Sequence, residues 1–242
     1  MAGMTVVISQ SMYFPWVGLL EQIRLADAFI HYDDVQFVRG FLNRVQVKTA
    51  QGTKWMTVPT KDRHRGQSIN NVLIDDREPW RKTHRNLLAE AYRGAPYVRE
   101  MLDVVDHVFS QRAYYLSDVT SASIQALCTY FELDRNTNFL NSEDLGVGGA
   151  SSQRLKDLTL AVQGDVYLTG HGARNYLDHA LFEADGIDVH YMNYERIPYP
   201  QLHGDFTPYV TGLDLIANCG REGRKMIRSG SLYWREFLNE PR

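Results

Sequence analysis

Polar side chains that could bind and activate a substrate follow two short apolar runs near the N-terminus. Gln10 and Tyr13 come after the first run, and Asp33, Asp34 and Gln36 come after the second. An amide or a phenol can orient a ligand by hydrogen bonds, and a carboxylate can take a proton from an attacking amine or hydroxyl. Together these residues predict acid–base chemistry on a small polar substrate.

The elements that must position these residues are a strand over 5–9, a helix from Trp16 to about Asp27, and a strand over 28–32. Two strands joined by a helix form a parallel, right-handed unit, and ligands gather beyond the carboxyl ends of such strands. We therefore expect the polar residues to share one edge of one sheet. The alternative is structural: an aromatic turn containing Pro15 can start the helix, and paired aspartates can form a solvated turn.

A predicted hairpin after this unit carries fixed positive charge. Its strands are predicted over 44–49 and 55–60. Arg44 and Lys48 lie four residues apart in an element of period two, so they share a face. With Asn43 beside them they could hold a phosphate or a carboxylate. The alternative is an exposed hairpin face.

Two glycine-containing loops precede predicted helices. The loop over 145–152 could seat a phosphate on backbone N–H groups, but it lacks the lysine of a P-loop. A structural loop with Ser151 or Ser152 as the helix cap is therefore favoured. Gly170 and Gly172 follow a predicted inner strand, where close approach to a small anionic or polar ligand and a plain turn are equally favoured.

The histidines and other reactive side chains form few recognisable motifs. None of the eight histidines belongs to a helical pair at metal-ligand spacing, and no metal site is predicted. His84 shares a helical face with Trp80 and is interpreted either as a core histidine or as a general base at the sheet edge. No serine lies in a GxSxG turn, and neither cysteine has the neighbours of a nucleophile.

The whole chain predicts a single α/β domain over 1–242 with a helical insertion over about 76–135. The further predicted elements are a strand or extended loop over 69–74, strands over 165–169 and 187–192 around a helix over 175–184, and terminal helices over 211–218 and 221–238. The predicted fold is α/β: a mostly parallel sheet from βαβ units, with a β-hairpin and a helical insertion.

The length, net charge and cysteine content of the chain indicate which class of protein it belongs to. The chain has 242 residues, 44% of them hydrophobic, which is enough for a substantial core. A net charge of -3 gives no footprint for sequence-independent nucleic-acid binding, although Lys61, Arg63 and Arg65 share one predicted loop. Cys128 and Cys219 predict free thiols in a reducing compartment. Without an apolar run of membrane-spanning length, we expect a cytoplasmic protein with no membrane partner.

Short motifs spread in order over almost the whole chain match the pattern of one family. They are Gln10–Gly18 (QSMYFPWVG), Ala26-Asp27, Asp33–Phe37 (DDVQF), Asn43-Arg44, Lys48, Trp55–Pro59 (WMTVP), Trp80 with His84, Tyr92 with Pro96-Tyr97, Tyr167–Gly170 (YLTG), Tyr176-Leu177, and Asp214-Leu215 with Asn218 and Gly220. On these motifs the sequence resembles the WbqC-like family. That family usually has proline after the opening glutamine, whereas this chain has Ser11, so we expect a less rigid turn.

The resemblance implies an enzyme of surface-polysaccharide or modified-sugar biosynthesis. The expected activity is a transferase that adds an amino-acid or acyl group to a nucleotide-linked or phosphorylated substrate. One alternative is a nucleotidyltransferase, because the opening strand, turn and helix resemble that family, although its HxGH histidines are absent. A second alternative is a non-catalytic binding or scaffold protein for glycan assembly. The expected partner is a small molecule, such as a nucleotide-linked sugar or an amino acid, and no cofactor is specified.

The predicted site combines these observations. Asp33 or Asp34 is the expected general base, and His84 is a lesser catalytic candidate. Arg44 and Lys48 are expected to hold anionic groups. The remaining residues expected to contact the substrate are Gln10, Tyr13, Phe14, Trp16, Gln36, Asn43, Gly170, Gly172, Tyr176 and Asp214.

Overall fold

The structure, a computed structural model, describes residues 3–239. Within this range the strands are β1 (Thr5–Ser9), β2 (Ala28–His31), β3 (Arg44–Thr49), β4 (Gly52–Thr57), β5 (Thr60–Lys61), β6 (Leu73–Ile74), β7 (Asn138–Asn141), β8 (Val166–Thr169), β9 (Asp188–Asn193) and β10 (Gly230–Tyr233). The α-helices are α1 (Val17–Leu25), α2 (Trp80–Ala91), α3 (Val98–Ser110), α4 (Leu116–Tyr130), α5 (Ser151–Ala161), α6 (His179–Glu183), α7 (Gly212–Cys219) and α8 (Trp234–Asn239).

The opening strand β1 lies inside the main sheet and is buried on both faces. It pairs in parallel with β2 on one side and with β8 on the other. Successive side chains of a strand point to opposite faces. Val6 and Ile8 accordingly join one apolar cluster, whereas Val7 joins the other. The β-branched run at the N-terminus is therefore continuous, as expected for a parallel strand covered by helices on both faces.

The main sheet is mostly parallel and reverses its strand order once. Its six strands lie in the order β10-β9-β8-β1-β2-β7, and only β10 runs antiparallel to its neighbour. The chain moves outward from β1 through β2 to β7, then returns to place β8 on the other side of β1. The connections that follow β1 and β8 therefore pack on opposite faces of the sheet, with α1 on one face and α6 on the other, and such a reversal leaves a crevice at the sheet edge. The predicted mixed α/β fold with a mostly parallel sheet is confirmed.

The antiparallel hairpin is also confirmed, as a separate two-stranded sheet. β3 pairs with β4 from Arg44 opposite Thr57 to Thr49 opposite Gly52. The second hairpin strand therefore begins three residues before its predicted start at residue 55. The three helices α2, α3 and α4 follow in the chain, between β2 and β7.

Several observed elements differ from the predicted ones in type or length. The strands with which such segments pair lie far away in the sequence. The segment over 69–74 forms a 3-10 turn and only the two-residue β6. The predicted helix over 175–184 shortens to α6, and the predicted terminal helix over 221–238 contains β10, which pairs with β9. β7 was not predicted, because its four residues NFLN lack a β-branched run.

The cysteines and the hydropathy of the helices can also be compared with the sequence-based expectations. Cys128 and Cys219 are free, and Cys128 is buried in α4. Among residues 3–239 no helix has both the length and the apolar character needed to cross a membrane.

Candidate functional site

The largest cavity lies at the point where the strand order reverses, and we call it the switch-point cavity. Its volume is about 710 Å³. Five residues predicted to bind substrate line it: Gln10, Gln36, Gly170, Gly172 and Tyr176. The other lining residues are Ile8, Ser9, Met12, Gln22, Tyr32, Val35, Ser151, Leu155, Tyr167, Thr169 and Ala173. The fold therefore brings together residues from β1, α5 and β8 and from the segments that follow β1, β2 and β8, up to 168 positions apart in the chain.

The lining of this cavity is aromatic and amide-rich. Tyr32, Tyr167 and Tyr176 contribute phenol rings. Burial raises the pKa of the Tyr32 and Tyr167 phenols, so these two groups stay neutral at pH 7. No Asp, Glu, Lys, Arg or His of residues 3–239 lines the cavity. The side chains here can therefore stack on a ligand and exchange hydrogen bonds with it, but they bring no formal charge.

The N-terminus of α5 supplies the only element of positive character that we identify in this lining. The residue before the helix, Ala150, has no side chain that can cap it, and Ser151 lines the cavity in a left-handed conformation with φ of 52°. The predicted serine cap is not formed. Ser152 instead accepts a hydrogen bond from the backbone N–H of Asp178 at 3.0 Å. The first N–H groups of α5 lack helical acceptors, as at every helix start, and so can meet an anion.

The two predicted catalytic aspartates line a different cavity, which we call the acidic cavity. Its volume is about 230 Å³, and it is lined by His31, Asp33, Asp34, Asn70, Ser117, Asp118, Ser121, Asn141, Ser142 and Glu143. The side chains at the end of β2 divide between the two cavities, because His31, the last strand residue, and Tyr32 point in opposite directions. Tyr32 faces the switch-point cavity, whereas His31 and Asp33 line the acidic one.

Asp33 is fixed by Ser11 from the opening turn. Its two carboxylate oxygens accept hydrogen bonds from the Ser11 N–H at 2.8 Å and from the Ser11 hydroxyl at 2.6 Å. Burial raises the pKa of Asp33, and these two hydrogen bonds oppose that shift. Ser11 is fully buried, and the expectation of a less rigid turn at this position stays a prediction.

His31 is a member of this cluster that sequence analysis did not single out. Its Nδ1 lies 2.7 Å from the hydroxyl of Ser11, and burial lowers its pKa to about 4. The alternation of a strand could have identified it, because His31 and Asp33 are two residues apart and share a face. What the sequence could not supply was Ser11 as the group that joins them.

Asp34 is held in an ion pair, so it is not the free carboxylate that a general base requires. It pairs with Arg154 of α5 and accepts a hydrogen bond from Ser142 at 2.6 Å. The Arg154 guanidinium also lies 5.0 Å from the centre of the Tyr32 ring. Arg154 therefore connects a carboxylate of the acidic cavity with a phenol of the switch-point cavity.

The aromatic opening turn is part of the core. Tyr13 and Phe14 have no exposed surface, and Phe14 is left-handed with φ of 38°. The strained turn is held by hydrogen bonds from Phe14 N–H to Ser123 at 2.8 Å and from the Thr211 hydroxyl to the Phe14 carbonyl at 2.8 Å. The structure therefore places neither Tyr13 nor Phe14 in contact with a cavity, and it favours the structural alternative for this turn.

His84 is a core histidine in this structure. Its Nδ1 lies 3.0 Å from the Tyr13 hydroxyl, and its ring centre lies 5.2 Å from that of Trp80. Burial lowers the pKa of His84 to about 4. It lines neither cavity, so the expected position at the sheet edge is not observed.

The hairpin residues and Trp16 also lie away from both cavities. Asn43 is buried and donates to the Val58 carbonyl at 3.0 Å. The Arg44 guanidinium stacks over Trp55, 4.2 Å from the ring centre. Trp16 packs against Tyr194 with ring centres 5.2 Å apart.

Lys48 and Asp214 belong to a third, internal polar cluster. The ammonium of Lys48 donates to Gln201 at 3.1 Å and to the carbonyls of Gly204 and Asp205 at 3.0 and 2.6 Å. The same Gln201 donates to Asp214 at 2.9 Å, and burial raises the pKa of Asp214. Lys48 therefore anchors the loop around residues 201–205, and the expected pairing of Arg44 and Lys48 at one anion site is not observed.

Comparison with known proteins assigns the sequence to a family. The model of the WbqC-like protein family matches residues 10–226. The chain belongs to the WbqC-like family. It is also 34% identical over 227 residues to the uncharacterized protein Rv1507c of Mycobacterium tuberculosis (strain ATCC 25618 / H37Rv), a match that covers 92% of this chain and 97% of that protein. No solved structure matches the chain significantly. All lining residues of the acidic cavity, and all those of the switch-point cavity except Ile8 and Ser9, lie within the range that the family model matches.

Proposed function

We propose that this protein binds a nucleotide-linked or phosphorylated sugar in the switch-point cavity and acts in the cytoplasm as a transferase that adds an amino-acid or acyl group during surface-polysaccharide or modified-sugar biosynthesis. The ligand class rests on the geometry of the cavity. The biosynthetic setting and the transfer reaction rest on what the family resemblance implies.

The single observation that carries the proposal is the position of the largest cavity. Open α/β sheets bind ligands outside the carboxyl ends of their strands, where the strand order reverses. Counted along the chain, the strands of this sheet lie in the order 3-2-1-4-5-6, which is the order of doubly wound sheets that bind nucleotides, although the sixth strand here is antiparallel. A volume of about 710 Å³ is within the range of about 300–1,000 Å³ that takes a cofactor-sized ligand.

The lining offers a complementary surface for such a ligand. The exposed start of α5 at Ser151 can meet a phosphate with backbone N–H groups. Tyr176, of which 62% is exposed, offers a ring face on which a base or sugar can stack. The amides of Gln10 and Gln36 can donate and accept hydrogen bonds with sugar hydroxyls or a base edge.

Glycines allow the backbone to approach the ligand. A side chain added at Gly170 would meet the Tyr194 hydroxyl at 3.3 Å, whereas Gly172 has no heavy atom within 4 Å of the added Cβ position. Gly172 therefore offers a way to fill the cavity without disturbing the fold. We use it as the test position.

The test is a thermal-shift measurement with UDP-glucose, dTDP-glucose, UDP and ATP on the wild-type protein, Gly172→Leu and Gly40→Leu. Gly40 also has no neighbour within 4 Å and lines neither cavity, so it is the matched control. A ligand at about 100 times its Kd stabilises by about 2.7 kcal/mol, or about 5–10 °C in Tm for a chain of this size.

We expect a nucleotide sugar to stabilise the wild type and Gly40→Leu but not Gly172→Leu. Stabilisation by ATP alone would support nucleotidyl transfer instead. No shift with any of the four ligands would support the scaffold alternative and refute the proposed ligand. An equal shift in wild type and Gly172→Leu would place the ligand outside the switch-point cavity.

A further inference from the structure

We propose that aromatic and basic side chains beside the switch-point cavity form a docking surface for a lipid bilayer with anionic headgroups. We call it the basic aromatic surface and define it by Phe37, Arg39, Phe41, Arg44, Trp55 and Arg63. The proposal does not depend on the function proposed for the cavity, because its test uses neither a nucleotide nor a sugar.

The charge of the chain is unevenly distributed along the sequence. Residues 36–67 contain seven of the 26 Lys and Arg residues but only one of the 29 Asp and Glu residues. This segment therefore carries a net charge of +6 in a chain whose net charge is -3. A cluster of Lys and Arg is attracted to the negative surface potential of an anionic leaflet, so the segment complements such a partner.

The cations of this segment are not neutralised within the folded chain. Arg39, Lys61, Arg63 and Arg65 are exposed. Among residues 3–239, none of these four and not Arg44 either forms an ion pair. Nε of Arg44 is buried and has no hydrogen-bond partner in the same part of the chain. Their charge is therefore available to a partner outside the protein.

Large apolar side chains lie among these cations. Val38 is 65% exposed, Phe41 62% and Trp55 41%. The ring centres of Phe41 and Trp55 lie 5.7 Å apart, and the Arg44 guanidinium lies 4.2 Å from the centre of the Trp55 ring. An exposed apolar patch bordered by polar residues indicates a site of protein or membrane interaction.

Backbone pairing joins the loops of this surface and places them beside the cavity. The N–H of Phe37 donates to the Gln67 carbonyl at 2.8 Å, and the Arg63 guanidinium lies 6.0 Å from the centre of the Phe37 ring. The segment after β2 therefore lies beside the charged loop over 61–66. Gln36, the residue before Phe37, is exposed and lines the switch-point cavity. A bilayer on this surface would thus lie next to that cavity.

A bilayer fits these side chains better than single-stranded nucleic acid does. Bases stack on ring faces, but Val38 has no ring, and Arg44 covers one face of Trp55. The rings of Phe41 and Trp55 are also inclined at 55° to each other. Burial in a lipid interface is non-directional, so it takes all three apolar side chains while the guanidinium groups stay among the lipid phosphates. The expected absence of a membrane partner rests on spanning length, and a surface contact needs no spanning segment.

The test is co-sedimentation of the full chain with phosphatidylcholine vesicles and with vesicles in which about a third of the lipid is anionic phosphatidylglycerol. The informative variants are Arg39→Gln combined with Arg63→Gln, which removes two charges, and Phe41→Ser, which removes an apolar side chain. These residues are exposed, so the Tm of each variant should equal that of the wild type. Fluorescence anisotropy with a labelled thymidine oligonucleotide tests the nucleic-acid alternative.

Each variant has a matched control outside the surface. Arg99→Gln combined with Arg221→Gln removes two charges from exposed arginines, and Arg221 lies over the Tyr130 ring at 5.0 Å much as Arg63 lies over Phe37. Leu160→Ser removes an apolar side chain that is exposed on α5.

We expect the wild type to sediment with the anionic vesicles and not with the neutral ones, and we expect added salt to weaken this binding. One Lys or Arg near an anionic leaflet changes affinity about fivefold, so Arg39→Gln with Arg63→Gln should weaken binding about 25-fold. Phe41→Ser should weaken it about tenfold, and both controls should bind like the wild type.

Three results would overturn the proposal. The first is that anionic vesicles bind no more protein than neutral vesicles do. The second is that the surface variants bind vesicles as tightly as their controls. The third is that the oligonucleotide binds and the vesicles do not, which would assign the surface to nucleic acid instead.

Discussion

The pH dependence of stability should reveal the buried, neutral state of His84. The perturbation is a change from about pH 7 to about pH 4.5, which protonates histidines in the unfolded chain. In the folded protein His84 is buried beside Tyr13 and Trp80, and burial lowers its pKa from 6.5 to about 4. No carboxylate contributes to this shift. The folded state therefore excludes a proton that the unfolded state binds.

The sign and size of the effect follow from this difference. Because the folded-state pKa is the lower one, His84 costs no stability above pH 6.5, and stability is lost as the pH falls from 6.5 towards 4. The gap corresponds to about 3 kcal/mol once both states are titrated, and about 2.5 kcal/mol of it is reached by about pH 4.5. A single residue should thus remove a large part of the stability of a typical domain.

The assay is urea unfolding across this pH range for the wild type and for His84→Asn, which keeps a polar group beside Tyr13 but cannot titrate. The free energy of unfolding of the wild type should fall by about 2.5 kcal/mol more than that of the variant between about pH 7 and pH 4.5. His64→Asn, at an exposed histidine, is the control and should follow the wild type. Parallel curves for the wild type and His84→Asn would refute the reasoning. An NMR titration of the His84 ring in the wild type, with an expected midpoint near 4, checks the same point directly.

Two further predictions concern the framework of the cavities. Asp34→Asn leaves the Arg154 side chain, which is only 9% exposed, without its anionic partner. We expect this change to lower the free energy of unfolding, measured with urea, by about 3 kcal/mol. Ser142→Ala removes one hydrogen bond to the same carboxylate and should lower it by about 1 kcal/mol. Equal costs would contradict the ion-pair argument. Gly164→Ala would place a methyl against Val6 and 2.8 Å from Thr159, and it should destabilise by about 1–3 kcal/mol. Gly172→Ala meets nothing within 4 Å and should change stability by less than about 0.5 kcal/mol, so similar losses in these two variants would disprove the steric account.

Arg154 contacts one lining residue of each cavity, and this bears on the chemistry available to the protein. Arg154 pairs with Asp34 of the acidic cavity and lies over Tyr32, which lines the switch-point cavity. A ligand phosphate at the start of α5 would lie on the helix that carries Arg154. Charge in one cavity can therefore affect the other through a guanidinium that is itself shielded from solvent.

Local sequence determined much of the fold. The run Thr5–Ser9, the helical spacing after Trp16 and the run from Ala28 give β1, α1 and β2 close to their predicted bounds, because periodicity and β-branched residues act over a few neighbours. The same local signals predict the hairpin strand β3 and the helices α2 to α4. The sequence does not predict the edge strands β7 and β10. They are stabilised by pairing with β2 and β9, and their own composition does not favour a strand.

The position of the site depended on tertiary structure. The sequence placed Gln10, Asp33 and Arg44 at one sheet edge, because each follows or begins a strand near the N-terminus. In the folded chain Gln10 lines the switch-point cavity and Asp33 lines the acidic cavity, whereas Arg44 stacks on Trp55 of the hairpin. The sequence shows which strand residues share a face, but it does not show which distant residues contact that face. Ser11 next to His31, and Arg154 next to Asp34, are contacts that only chain folding creates, because they join residues 20 and 120 positions apart.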